Sequence, residues 1–332
     1  MVDLFLVKLL LCLAAILYVF AGGMLYRMAR GWLRRRMAGA RGEESAPPPA
    51  VRWARAGRIV RAAVLSLAAL GIVCAVYARL VEPFWPKVER VGIRTAELPA
   101  GARPVRLVLL SDFHCDPQRR LEPRLPGMVA ELRPDAIVFA GDAVNSEEST
   151  EVFRELISRL ARIAPTCAVR GNWETWWFPQ IDLYGGTGAK LLEGDVVRLA
   201  VGGSEIWLAG VGVDRESSIP ETLAKVPQES FAVFVHHFPE AAAEAVRAGA
   251  DLALAGDTHG GQVRLPFIGP TGRISRWGGY HDVGLHRIAG GWLYVSRGIG
   301  LEGGTAPRVR FLCRPEITLI EIVPESKTTE GL

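Results

Sequence analysis

The chain has 332 residues, 49% of them hydrophobic, and its formal net charge of +4 averages two unlike halves. Residues 1–90 hold 14 Lys/Arg against 5 Asp/Glu, and residues 91–332 hold 25 against 30. A basic front beside apolar runs points to a membrane, the acidic body carries no nucleic-acid motif, and five cysteines without CxxC spacing exclude a disulfide framework or a zinc ribbon.

Leu9–Tyr26 is an uncharged run, and with the apolar residues before it a helix over about residues 5–26 is long enough to cross a bilayer. Its first residues hold Asp3 and no clear A-x-A site precedes the arginines, which favours an anchor over a cleaved signal peptide. Ala62–Ala78 is a second uncharged run between Arg61 and Arg79, and it predicts a span over residues 59–80. Phe84 and Trp85 follow as interfacial anchors. A buried core helix is the alternative for this second run. The loop at 27–58 carries nine arginines and the helix-breaking stretch Ser45–Ala50. Short Arg-rich loops stay cytoplasmic, so residues 91–323, the expected catalytic domain, are expected on the far side. Residues 324–332 read as a polar tail.

Five short apolar runs follow: Val105–Leu110, Ala136–Ala140, Thr166–Val169, Phe231–Val235 and Leu252–Ala255. Each reads as a buried strand. Helical patterns lie at Leu125–Leu132, Glu151–Ile163 and Pro239–Ala248, so the domain is α/β. The strands end in SDFH, GD, RGNWE, HHFP and GDTHGGQ. Ligands of such a sheet sit beyond the carboxyl ends of its strands, where all five polar clusters fall. A lone strand-end Asp is often only a turn former; five metal-type clusters together are not.

This order of motifs resembles the calcineurin-like metallophosphoesterase superfamily over roughly residues 105–323. Tyr294–Gly300 and Val309–Ile322 resemble a branch with N-terminal membrane segments, which includes UDP-2,3-diacylglucosamine hydrolase-like proteins of lipid A synthesis. The resemblance implies a four-layer αββα sandwich. It also implies two divalent ions, one held by Asp112, His114, Asp142 and His259 and the other by Asp142, Asn172, His237 and Asp257, with Asp142 bridging. Asp142, Asn172 and His237 are the residues it makes catalytic. Such a cation pair neutralises phosphate oxygens and activates water. Ligands without thiolate suit Mn, Fe or Zn. The His-x-Pro pattern selects His237 over His236.

Two positions depart from the family pattern. Asp257 stands where a histidine is usual, which puts the second ion's identity and affinity in question. Trp173 replaces the histidine of GNHE and cannot protonate a leaving group. General acid help is worth about 10²–10⁴-fold for a basic leaving group, so a pyrophosphate or similarly good leaving group is expected. Trp173, Trp176, Trp177 and Phe178 form an aromatic run at the site mouth, suited to an acyl chain or bilayer surface, with core packing as the alternative. Arg170 and Arg297 are candidates for phosphate contact or for ion pairs. Cys115, beside a ligand, is read as a buried thiol that oxidation could reach; His281 and His286 are read as ordinary residues. The expected function is a membrane-anchored phosphohydrolase acting on a lipid-linked phosphodiester or pyrophosphate. The alternative is a catalytically degenerate, membrane-tethered scaffold.

Overall fold

The computed structural model describes residues 50–270, 282–303 and 308–325, together with Gly23 and Arg30. The expected span at 5–26, most of the basic loop, His281 and most of the tail lie outside the described residues. The chain divides into two compact units, Met1–Arg79 and Leu80–Leu332.

In the first unit, helix α1 begins at Ala50, directly after three prolines, and runs to Leu80. The loop expected to reach residue 58 is therefore helical over its last nine residues, because proline interrupts a helix behind it but is tolerated at its start. Gly57–Phe84 is the one stretch among the described residues long and apolar enough to cross a membrane.

The second unit follows in chain order as β1 (Lys87–Thr95), β2 (Val105–Leu110), α2 (Leu125–Glu131), β3 (Ala136–Phe139), α3 (Thr150–Ala161), β4 (Thr166–Ala168), α4 (Asn172–Trp176), β5 (Lys190–Leu191), β6 (Asp195–Val201) and β7 (Ser204–Gly210). It continues as α5 (Ile219–Leu223), β8 (Phe231–Val235), α6 (Ala242–Arg247), β9 (Leu252–Ala255), the hairpin β10 (Arg264–Leu265) and β11 (Gly269–Pro270), then β12 (Gly284–Ile288), β13 (Gly291–Val295) and β14 (Glu316–Pro324). One six-stranded sheet runs β1-β14-β2-β3-β4-β5 and the other β12-β13-β9-β8-β7-β6.

Strand side chains alternate between faces, and here each face meets a different layer. Leu107, Leu109 and Val138 point into the space between the sheets and meet Leu208, Val233, Val235 and Leu254 of the other sheet. Val108, Leu110 and Ile137 point the other way, under Val129 of α2 and Phe153, Leu156 and Leu160 of α3. Ala232 and Phe234 lie under Ile219, Leu223 and Ala245. Strands buried on both faces read as unbroken apolar runs, and the four layers follow as helix, sheet, sheet, helix.

The expected domain start at residue 91 falls inside β1. That strand pairs in parallel with β14 from Lys87↔Glu316 to Thr95↔Pro324. It carries Lys87, Glu89 and Arg94 because, as an edge strand, it keeps about half its side chains in solvent.

Candidate metal centre

The chain turns sharply after β2, β3 and β9, and these turns carry the polar clusters. Asp112, His114, Asp142, Asp257 and His259 have φ of 51°, 41°, 61°, 66° and 50°. A left-handed conformation costs a non-glycine residue about 1–2 kcal/mol, so the surrounding lattice must impose it. Asp112 N–H donates to the Gly141 carbonyl at 2.8 Å, His114 N–H to that of Asp142 at 3.0 Å, and Gly256 N–H to that of His237 at 3.0 Å. Gly171 is needed on steric grounds: a Cβ there would lie 2.1 Å from Asp142 Oδ1.

Five of the seven expected ligands converge in two overlapping groups, Asp112–His114–His259 and Asp112–Asp142–His237. All five side chains are buried. Asp142 Oδ2 lies 3.3 Å from His114 Nε2 and 3.4 Å from His237 Nε2. His259 Nε2 lies 3.5 Å from Asp112 Oδ1 and 3.2 Å from His114 Nε2. Asp112 stands in both groups, where the resemblance gave the shared place to Asp142; Asp142 nonetheless faces a histidine of each. Asn172 opens α4 with its Oδ1 buried and without a hydrogen-bond partner. The next N–H, of Trp173, donates to Asp142 Oδ1 at 3.0 Å. Asp257 stands at the edge, its Oδ1 3.7 Å from His237 Nε2 and its N–H donating to Asp112 Oδ1 at 3.0 Å.

The hydrogen-bond network assigns the histidine tautomers. His237 Nδ1 lies 2.7 Å from the Ala140 carbonyl, which only accepts, so Nδ1 carries the proton. His114 Nδ1 lies 2.9 Å from Asn145 Oδ1. The Asn145 amide cannot turn over, because its NH₂ donates to the carbonyls of His114 and Leu301 at 2.9 and 3.1 Å. Both rings thus carry a proton on Nδ1, and their Nε2 atoms face one carboxylate oxygen. Metal-binding histidines are held this way, with the far ring nitrogen donating to an oxygen.

Burial and neighbouring charges pull the protonation of the cluster in opposite directions. Burial pulls His237 down, but Asp142 overrides it and holds the ring well above the usual range. Burial and the neighbouring His114 charge hold His259 well below it. Burial pushes Asp257 up to about 8, with Asp142 and Asp112 adding to the rise. Asp112 Oδ2, Asn172 Oδ1, His237 Nε2 and His259 Nδ1 are left without hydrogen-bond partners. Buried oxygen and nitrogen lone pairs in this arrangement fit divalent cations.

Several residues hold the centre without joining it. Glu174 is buried and accepts three backbone N–H groups: Gly171 at 2.9 Å, Asp142 at 3.2 Å and Ala143 at 2.5 Å. It is the last letter of GNWE and sits three residues after Gly171, the spacing of a capping residue. Asn145, thirty-one residues from His114, left no comparable signal. Burial pushes the Cys115 thiol well above its usual range, so it is not reactive as a thiolate. His236 turns aside: its Nδ1 lies 3.1 Å from the Phe238 carbonyl. Gln262 accepts from Glu302 N–H at 3.2 Å, away from the ligands. Arg297 pairs with Glu316 at 2.5 Å and Glu89 at 3.1 Å, and Arg170 approaches Glu193 at 3.7 Å, so both take the ion-pairing alternative. His286 Nε2 lies 2.9 Å from the Val283 carbonyl. The Trp173 ring meets His114 edge to face at 5.0 Å, whereas Trp176 and Trp177 are exposed and do not serve as core.

The family described as calcineurin-like phosphoesterase matches residues 105–261. The uncharacterized metallophosphoesterase YkuE of Bacillus subtilis (strain 168) is 29% identical over 74% of this chain and 88% of its own. Phosphodiesterase YaeI of Escherichia coli (strain K12) is 28% identical over 74% of this chain and 92% of its own. A Danio rerio transmembrane protein with metallophosphoesterase domain is 29% identical over 75% of this chain and 60% of its own. The matched stretch contains all seven candidate ligands, and the chain carries a calcineurin-like metallophosphoesterase domain, which makes it a phosphoesterase.

Proposed function

We propose that the chain is a membrane-anchored phosphohydrolase that cleaves a phosphodiester or pyrophosphate bond in a lipid-linked substrate. Asp112, His114, Asp142, Asn172, His237, Asp257 and His259 would hold two divalent cations. The observation that carries this reading is the pair of Nε2 atoms, on His114 and His237, that lie 3.3 and 3.4 Å from one buried carboxylate oxygen of Asp142. Cations bound there would neutralise phosphate oxygens and make a nucleophile from water at neutral pH.

The chain's own residues position and select. Asn145 and the Ala140 carbonyl hold two rings at fixed angles, and Glu174 fixes the backbone on both sides of Asp142. Trp173 fills the space beside His114 with a ring whose only polar atom is an N–H that does not protonate an alkoxide. That favours a phosphate or similarly weak base as leaving group. A nucleotide-linked lipid of the UDP-2,3-diacylglucosamine kind has such a bond, and exposed Trp176 and Trp177 offer apolar surface to its chains.

If residues 5–26 and 57–84 both cross the bilayer, the arginines between them keep that loop cytoplasmic and place the catalytic unit outside. A nucleotide lipid made in the cytoplasm requires the opposite side. A C-terminal alkaline phosphatase or fluorescent protein fusion, each active on one side only, decides between them.

The activity is tested with full-length protein in detergent, Mn²⁺ and bis-p-nitrophenyl phosphate, beside Asp142→Ala. Turnover that disappears in the variant, with about two ions per chain in the parent, supports the reading. A folded chain that binds no Mn²⁺, Zn²⁺ or Fe²⁺ and turns nothing over would leave the tethered scaffold as the better account.

A further inference from the structure

Beyond Val81, the exposed large hydrophobic residues described are Trp176 and Trp177 at the site and one further group: Phe84, Trp85, Leu265, Phe267, Ile268 and Leu312. These six come from three stretches of sequence, and the fold ties the stretches together. Glu82 is buried, and its carboxylate accepts the N–H of Leu312 at 2.8 Å and that of Cys313. Arg314 donates to the carbonyls of Trp85 and Pro86 at 2.8 and 2.9 Å and lays its guanidinium on the Trp85 ring at 4.0 Å. Phe311 donates to the Gln262 carbonyl and accepts from Arg264 N–H, both at 2.9 Å. The hairpin β10–β11 therefore hangs from the segment 311–314 that grips residues 82–86.

The hairpin tip is built against the usual rules. Phe267 is 110% exposed and Ile268 73%. Phe267 also adopts φ 65°, a conformation that strains a bulky side chain and that glycine would take freely. Among the described residues nothing covers this strained aromatic. Residues 82–84 end the stretch Gly57–Phe84 and 85–86 follow it, so a helix crossing the bilayer delivers this grip to the headgroup level. Trp and Tyr are favoured at that level, and a cation such as Arg314 there meets anionic headgroups.

We propose that the catalytic unit lies on the bilayer itself, with the tip Leu265–Ile268 inserted at the boundary of headgroups and acyl chains beside Leu312 and Trp85. The proposal rests on the membrane-anchored reading and extends it. The hairpin begins three residues after Gly261 of the GDTHGGQ cluster, and Cys313 Sγ donates to the His259 carbonyl at 3.2 Å. The docked surface and the metal centre thus share one backbone segment. The substrate it serves is an amphiphile whose phosphate stands at the membrane surface.

The test uses full-length protein in nanodiscs of phosphatidylethanolamine with a minority of phosphatidylglycerol. Phe267→Cys carries an environment-sensitive fluorophore; Glu131→Cys, exposed on α2, is the control, and label on the unsubstituted chain is subtracted. The expected result is a blue shift at 267 and loss of its emission to lipids spin-labelled close to the headgroup, with neither at 131. Insertion of about 5–10 Å puts the probe within their reach. No quenching at 267 overturns the proposal. A blue shift without lipid quenching, on particles that hold two chains, assigns the tip to a second copy and overturns it as well. A chain that fails to co-elute with nanodiscs overturns the anchor together with the docking. Turnover of bis-p-nitrophenyl phosphate by the same labelled protein reports the active-site reading separately.

Discussion

Replacing Glu174 by Gln changes one atom of a buried side chain and should destabilise the catalytic unit by about 2–4 kcal/mol. Oε2 accepts from Gly171 and Asp142, and Oε1 from Ala143. An amide offers one oxygen, so whichever way it turns, at least one of these N–H groups faces an NH₂ group. A hydrogen bond to a charged group is worth about 1.5–3 kcal/mol, and a buried donor left unpaired costs about 1–3 kcal/mol. The two overlap, because the displaced N–H moves toward whatever acceptor remains. For a unit of this size 1 kcal/mol moves Tm by about 2–4 °C, so a fall of about 5–12 °C is expected. Burial, with the Asp142 charge beside it, pushes the Glu174 carboxyl up to about 7. The melts therefore belong at pH 8, where the parent side chain is the anion. The same variant should bind Mn²⁺ about 10–100-fold more weakly by calorimetry, because Glu174 holds the backbone of a ligand and of the glycine before another. A Tm within about 1 °C of the parent and an unchanged Mn²⁺ affinity would refute this reasoning. A lowered Tm with unchanged affinity would confine Glu174 to the fold.

Stripping metal with EDTA should abolish turnover, and returning Mn²⁺ to about 100 times its Kd should restore about 2.7 kcal/mol of stability; melts that ignore Mn²⁺, Zn²⁺ and Fe²⁺ alike would count against the centre. Gly171→Ala places a methyl group 2.1 Å from Asp142 Oδ1 and must push that ligand aside; about 100-fold loss of kcat/KM is expected with bis-p-nitrophenyl phosphate, and activity within twofold of the parent would show that the carboxylate has room to move. Arg310→Met leaves the carbonyls of Gly300, Arg297 and Cys313 without their buried donor, which should lower stability by about 1–3 kcal/mol in urea melts. Trp176→Ser with Trp177→Ser should reduce hydrolysis of a long-chain phosphodiester far more than that of a soluble one, and an equal loss on both would return these rings to a packing role.

The site was legible because its strands are buried on both faces. β2, β3, β4, β8 and β9 read as plain apolar runs, and their polar ends stand out by contrast. Expected and observed bounds differ by at most one residue at each of these strands. The outer strands were not legible in this way. β1 and β6 keep one face in solvent and carry Lys87, Glu89, Arg94, Asp195 and Arg198, so their patterns are those of loops until a partner is known. For β1 that partner is β14, more than two hundred residues away. The candidate ligands came from the family resemblance that the motifs at these strand ends carry. The residues that aim them did not, because each acts through contacts with remote backbone: Asn145 joins His114 to Leu301, and Glu82 joins the end of the apolar helix to Cys313.

The segment 297–314 shows why the missing part matters. Its described residues contribute no ligand, yet they close the centre. Ile299 N–H donates to the Ser111 carbonyl at 3.1 Å and Gly300 N–H to that of Asp112 at 2.7 Å. A Cβ on Gly300 would meet the Phe113 carbonyl oxygen at 2.0 Å, so no other residue lets this loop approach so closely. Arg310 holds the loop from behind, wholly buried, with its donors spent on carbonyls. A buried guanidinium with no direct carboxylate partner among the described residues is costly. Its field, added to burial and to the charge of His114, keeps His259 well below the usual histidine range. That is the neutral form in which an imidazole binds a cation. A wholly buried charge thus supports the protonation state that one ligand needs, and the chain supplies it from a stretch whose sequence carries no metal-binding pattern.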